Sequence, residues 1–124
     1  MNKWACLVIG SIAGGFSRYF LAKTISERWG GGFPYGTLIV NLTGCLLVGI
    51  FNTLAGEKFL IGPEGRILLM TGFCGAYTTF STFMLETSNL VRDGEIFLGF
   101  MNVAASVALG FLFFRAGALL GKVI

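Results

Sequence analysis

The chain has no histidine among its 124 residues. That removes the side chain that most often acts as a base near neutral pH and most often binds transition metals. Charge is scarce too: only 12% of residues are Asp, Glu, Lys or Arg, about half the level of an ordinary soluble domain. The six acids are spread out, so no carboxylate cluster is present for Mg²⁺ or a nucleotide. The nine Lys and Arg are scattered as well, which excludes the basic runs that grip nucleic acid. Cys6, Cys45 and Cys74 are odd in number and each lies in apolar sequence. They read as buried, reduced thiols rather than as a disulfide or metal set.

What is present is apolar. Hydrophobic residues make up 55% of the chain, with a mean hydropathy of +0.80. The polar residues could not cover such a core in water, so the chain reads as a membrane protein. Residues 1–21 hold one early lysine and a long apolar run, which suits an uncleaved first span. Four spans are expected, at about residues 4–21, 33–55, 66–90 and 96–120. The breakers fall between them. Gly30, Gly31, Gly32 and Pro34 mark the first loop, Pro63 with Glu57, Lys58 and Glu64 the second, and Arg92-Asp93-Gly94-Glu95 a tight turn before the fourth span. The expected fold is therefore all-α, a single transmembrane domain over residues 1–124.

Glycine is abundant, with 19 residues. Gly10 and Gly14 are four apart, as are Cys45 and Gly49, and Gly117 and Gly121. Small residues at this spacing let helix backbones approach closely in lipid. The repetition predicts a tightly packed bundle and an oligomer.

Orientation follows the Lys/Arg excess on the cytoplasmic side. One side holds Lys3, Lys58, Arg66, Arg115 and Lys122, and the other Arg18, Lys23, Arg28 and Arg92. Five against four leaves two readings open: one key charge fixes a single orientation, or the chain inserts both ways and pairs with its inverted copy. The second gives a two-fold axis in the membrane plane.

Polar groups inside spans are costly and point to function. Thr37 and Asn41 are four apart on the second span. Thr79, Thr82 and Glu86 follow i, i+3, i+7 spacing on the third, and Asn102 and Ser106 are four apart on the fourth. Singly, such groups bond to neighbouring helices; together they predict a lined pathway. The lining is rich in hydroxyl and amide donors, and Glu86 is its only carboxylate. Cation pathways usually carry acidic rings, so the donors, with Arg18 near a mouth, favour an anion. Phe80 and Phe83 share a helix face. Turned edge-on, their rings present positive quadrupole character to an anion. Just before them, Gly72 and Gly75 loosen the backbone. A helix opened at 75–78 would free carbonyls that must find protons, water or a cation. In an inverted dimer two carbonyls from each copy would cage one small cation on the axis.

The run Gly72-Phe73-Cys74-Gly75-Ala76-Tyr77-Thr78-Thr79-Phe80-Ser81-Thr82-Phe83, followed by Glu86, resembles the signature of the Fluc/CrcB fluoride channels. Gly36-Thr37-Leu38-Ile39-Val40-Asn41 and Gly14-Gly15-Phe16-Ser17-Arg18 look like that family's second and first spans. The resemblance covers all four spans. It implies an antiparallel, dual-topology homodimer in the bacterial inner membrane, with the third helix broken near its middle. It implies two antiparallel pores that pass fluoride passively out of the cytoplasm, and a structural Na⁺ at the dimer interface. By motif, the Na⁺ ligands are the carbonyls of Gly75 and Thr78. The fluoride pore takes Phe80, Phe83, Asn41, Ser81, Thr82 and Ser106. Thr37 and Glu86 lie near one vestibule and Arg18 near the other. The fourth span departs from the pattern: relatives can carry a tyrosine where Asn102 stands and a further hydroxyl where Gly110 stands. Gly75-Ala76 also replaces a more usual Gly-Gly.

Two rivals come from other classes. A small dual-topology multidrug exporter needs a titratable carboxylate deep in its first span, and none is there. A small membrane lipid kinase, the enzyme alternative, needs clustered acids, and Glu86 stands alone.

Overall fold

The computed structural model describes all 124 residues. It is all-helical, with four helices long and apolar enough to cross a membrane: Lys3–Trp29, Tyr35–Gly56, Pro63–Arg92 and Ile96–Val123. Local chemistry sets their ends. Asn2 Oδ1 accepts from the backbone N–H of Trp4 at 2.6 Å, capping the first helix. Gly30 ends that helix at φ +85°, a conformation that favours glycine. Pro63 opens the third span in its first turn, where a missing N–H costs nothing. The second span begins at Tyr35 and ends at Gly56, close to the expected bounds.

The first helix is longer than hydropathy alone placed it. It runs on through Lys23, Glu27 and Arg28 to Trp29. Charged residues that the sequence reading put in a loop are thus its last two turns. Arg18 lies inside the span, half-buried. Arg115 likewise lies inside the fourth span, so leaving both out of the tally gives three basic residues on that side against four, still a near-even balance.

The helices meet in backbone contact where glycine permits it. The first span lies against the third, and the second against the fourth. A Cβ on Gly14 would strike the Phe73 carbonyl, and one on Gly10 would strike that of Leu68. From the third span, Gly72 faces Gly10, whose Cα is 3.1 Å from where a Gly72 Cβ would sit. In the other pair, Gly117 rests on Leu46 and Gly49 on Phe114 and Ala118. Gly121 packs on Thr53, whose hydroxyl donates to the Ala118 carbonyl at 3.1 Å. The four-residue glycine spacing thus marks real seams.

The third span is not one helix. An α turn at Pro63–Arg66 widens into a π-helical segment, Ile67–Cys74, and tightens again at Gly75–Tyr77. Thr78 (φ −90°, ψ 159°) and Thr79 (φ −149°, ψ 120°) are then extended, and a second arm runs from Phe80 to Arg92. The interruption is therefore at 78–79, a few residues later than the glycines suggested. The reason is local. Gly75 retains helical dihedrals (φ −62°, ψ −37°), and the chain opens at the threonines because both backbone groups of Thr79 find a partner on the second span, the Asn41 amide.

Candidate functional site

The break is held by its neighbours. Asn41, on the second span, spans both polar groups of Thr79. Its Oδ1 accepts from the Thr79 N–H at 2.9 Å, and its Nδ2 donates to the Thr79 carbonyl at 3.0 Å. Thr79 in turn caps the second arm, its hydroxyl oxygen accepting from the Thr82 N–H at 3.2 Å. From the first span, Arg18 Nε donates to the Ala76 carbonyl at 3.1 Å. The end of the lower arm, residues 63–77, is pinned as well: Thr43 Oγ1 and the Tyr77 hydroxyl lie 2.8 Å apart, and the Thr78 hydroxyl donates to the Cys74 carbonyl at 2.9 Å.

These bonds redirect donors. In an unbroken helix the N–H of Thr79 would serve the Gly75 carbonyl, and that of Thr82 the Thr78 carbonyl. Both N–H groups are turned elsewhere, to Asn41 and to the Thr79 hydroxyl. The carbonyls of Gly75 and Thr78 therefore lose their helical donors, and these are the two that the sequence motif singled out. Gly75 is also on the exposed surface of the chain.

Two clefts meet at Thr79. The first, of about 190 Å³, is lined by Arg18, Tyr19, Lys23, Ser26, Thr37, Thr79, Thr82 and Glu86, among others. Most of its lining residues are polar or charged, and the Glu86 Oε1 atom is buried there without a partner. The second, of about 370 Å³, brings together Asn41, Cys45, Thr78, Thr79, Phe80, Phe83 and Ser106, closed by Val48, Val107 and Phe114. Ser106 Oγ is also buried without a hydrogen-bond partner. Two orphaned oxygens in one small bundle, one on each side of the break, stand out where nearly all buried polar atoms are satisfied.

The predicted residues fall into place as follows. Asn41, Phe80, Phe83 and Ser106 share the second cleft. Thr82 joins Thr37 and Glu86 in the first. Arg18 lines that same cleft, whereas the motif reading set it near the opposite mouth. The longer first helix and the bond to Ala76 bring it there. Ser81 is exposed and lines neither cleft. Phe80 is 72% exposed in the single chain and Phe83 only 6%, with ring centroids 5.8 Å apart and planes inclined at 67°. Asn102, paired with Ser106 by spacing, does a different job. It is 2% exposed and donates to the Thr87 hydroxyl at 2.9 Å, and Thr87 donates to the Phe83 carbonyl at 2.8 Å. Asn102 thus ties the fourth span to the upper arm of the third.

Thr79, one of the polar groups expected to line a pathway, borders both clefts, but as an extended cap rather than on a helical face. One lining residue is missed by the sequence reading: Cys45 reads there as a buried apolar thiol, although it stands one helical turn after Asn41, a spacing that could reveal it.

Comparison with known proteins adds an independent finding. Residues 5–118 match the family described as "CrcB-like protein, Camphor Resistance (CrcB)". A Trichormus variabilis protein named "Fluoride-specific ion channel FluC" is 46% identical over 115 residues, 92% of this chain and 84% of that protein. A protein of the same name from Chlorobium phaeobacteroides is 45% identical, over 95% of this chain and 93% of its own length. Another from Maridesulfovibrio salexigens is 37% identical and covers 100% of this chain and 98% of its own.

Proposed function

The chain belongs to the CrcB-like family, and from that membership we propose that it is a multi-pass fluoride channel that works without chemistry on the ion. The observation that carries this reading is the second cleft. It gathers an amide, a ring pair and an orphaned serine hydroxyl beside a helix break at membrane depth.

The physical task is dehydration. Fluoride holds water tightly, so a path must offer strong donors in its place, yet bind loosely enough to let go. The Ser106 hydroxyl supplies one donor. Asn41 has two amide N–H groups; one holds Thr79, and the other is left for the ion. Phe80 and Phe83 supply ring edges, which are weakly positive and do not attract cations. In the first cleft, Arg18 and Lys23 set a positive mouth near Thr37, Thr82 and Glu86. Ser81, exposed on the chain, is assigned to the face toward a second copy.

Export needs no pump. In acid surroundings HF crosses membranes and dissociates inside. A passive anion leak then lets the membrane potential, worth about 2.3 kcal/mol per charge per 100 mV, expel fluoride by roughly fiftyfold in concentration. We place the protein in the bacterial inner membrane, where such a potential exists.

The second copy follows from the surface. Gly75, Phe80 and Ser81 are exposed in the single chain although they flank irregular backbone. Lipid does not tolerate irregular backbone facing it, so an inverted second copy is proposed to cover the break, giving two antiparallel pores. The carbonyls of Gly75 and Thr78 from each copy then fit a Na⁺ on the axis, because their helical donors are diverted. That ion would supply a fixed positive charge joining the two breaks.

The test is efflux from liposomes holding the purified protein. Fluoride is expected to leave quickly without nucleotide, and chloride hardly at all. Comparable chloride flux refutes the selectivity. A multidrug exporter would instead require a proton gradient for any transport.

A further inference from the structure

The donors of the second cleft are unevenly placed. Asn41 and Ser106 line it from the second and fourth spans. The cleft continues one turn further along the second span, past Gly44 and Cys45 to Val48. On the fourth span the corresponding step leads from Ser106 to Gly110, which has no side chain. A Cβ placed on Gly110 would meet only one heavy atom within reach outside its own helix, Cys45 Sγ, at 3.5 Å. The remaining walls at this level are Val48, Val107 and Phe114. The Cys45 thiol is thus the polar group of that stretch. It is free and half-buried, whereas Cys6 and Cys74 are only 3% and 2% exposed.

We propose that Cys45 is a lining residue of the fluoride path, its S–H donating to the ion one turn beyond Asn41, in place of a fourth-span hydroxyl. This rests on the reading of the second cleft as that path. A thiol is a weaker donor than a hydroxyl, so the chain has a shallow step where a serine at 110 would make a deeper one.

Liposome efflux on variants tests it. Cys45→Val removes the donor and adds one γ-carbon of bulk. Fluoride flux is expected to fall roughly fivefold, the factor an ordinary net hydrogen bond represents. Cys45→Ser is expected to match or exceed the parental protein. Adding Gly110→Ser to Cys45→Val puts a hydroxyl beside position 45 and is expected to restore flux, which the added bulk alone would not do.

A second measurement is independent of folding after mutation. Methyl methanethiosulfonate is added to the reconstituted parental protein. The Cys45 thiolate sulfur bonds to the reagent's methylthio sulfur, that reagent's S–S bond breaks, and methanesulfinate leaves. Flux should drop, recover with dithiothreitol, and be unaffected in Cys45→Ser. Excess fluoride should slow the labelling. Parental rates in Cys45→Val, failure of Gly110→Ser to rescue it, or undiminished flux in protein shown by mass to be labelled at Cys45 each overturn the proposal. A parental protein that passes no fluoride, or passes chloride equally, instead sinks the channel reading itself, so the two failures are distinct.

Discussion

Asn41→Ala isolates what holds the third span open. The side chain makes two hydrogen bonds to one residue, 2.9 and 3.0 Å, and so satisfies both backbone groups of Thr79. At membrane depth the orphaned N–H and carbonyl cannot turn to bulk water. Leaving a buried group unpaired costs about 1–3 kcal/mol, so two give about 2–6 kcal/mol. The space vacated by the amide is polar and borders a cleft, and a water entering it recovers part of this. The lower end, about 2–3 kcal/mol, is therefore expected. At 1.4 kcal/mol per tenfold, exchange of the Thr79 amide should speed up by about 30- to 150-fold. Hydrogen–deuterium exchange on the purified protein, read in a peptide spanning 78–83, measures it. Asn41→Asp keeps the acceptor for Thr79 N–H and loses the donor, so its protection should be intermediate. Fluoride efflux should fall in parallel, because Phe80 follows directly on Thr79. Unchanged protection at Thr79 in Asn41→Ala would show that something other than this amide holds the break, and the assignment of its role would be wrong.

Three further outcomes are expected. Phe80→Ile and Phe83→Ile should cripple fluoride efflux while size-exclusion chromatography still shows the proposed dimer; normal conduction by both would remove the edge-on argument. Of the two, Phe83→Ile should also lower the melting temperature, since Phe83 is 6% exposed against 72% for Phe80. Gly14→Val and Gly117→Val place side chains onto the Phe73 and Leu46 backbones; a loss of 3 kcal/mol or more, above the usual ~1–3 kcal/mol of overpacking, should appear as a collapse in yield of folded protein, and wild-type yield would deny that these seams are tight. Replacing Na⁺ with a bulky organic cation should loosen the dimer without altering a single chain's helix content, and equal dimer stability in both buffers would argue against the Gly75 and Thr78 carbonyls as ligands.

Much of this fold was legible because lipid reduces the choices. Long apolar runs had to be helices, and the four-residue glycine pairs identified the seams that formed. The end of the first helix was not legible, because Lys23, Glu27 and Arg28 look like a loop when hydropathy alone is read. Their helix continues because long basic and acidic side chains can reach water from a helix end. The break was legible in kind but not in place. Glycine marks where a helix can open, yet Gly75 stayed helical and two threonines opened instead. Only the tertiary partners, Asn41 above all, decide that, and no local pattern reports them. The same holds for Arg18 and Asn102. Spacing gives Asn102 a polar face, and the motif sets Arg18 near a mouth; which hydroxyl or carbonyl each reaches depends on helix lengths and packing that neither contains.

The interruption at 78–79 also divides the third span electrically. One continuous helix would carry its partial charges only at its two ends, in the headgroup regions. Two arms carry four, and two of these lie back to back inside the membrane. The lower arm ends at Tyr77 with a negative pole of about half a charge, and the upper arm starts at Phe80 with a positive one. A small cation and a small anion would thus meet fields of the right sign within a few residues, the Arg18 guanidinium on the Ala76 carbonyl being the one ionised side chain bonded at the break. A single two-residue kink gives this chain, which has so few charges to place, both polarities at the depth where a full charge is hardest to keep.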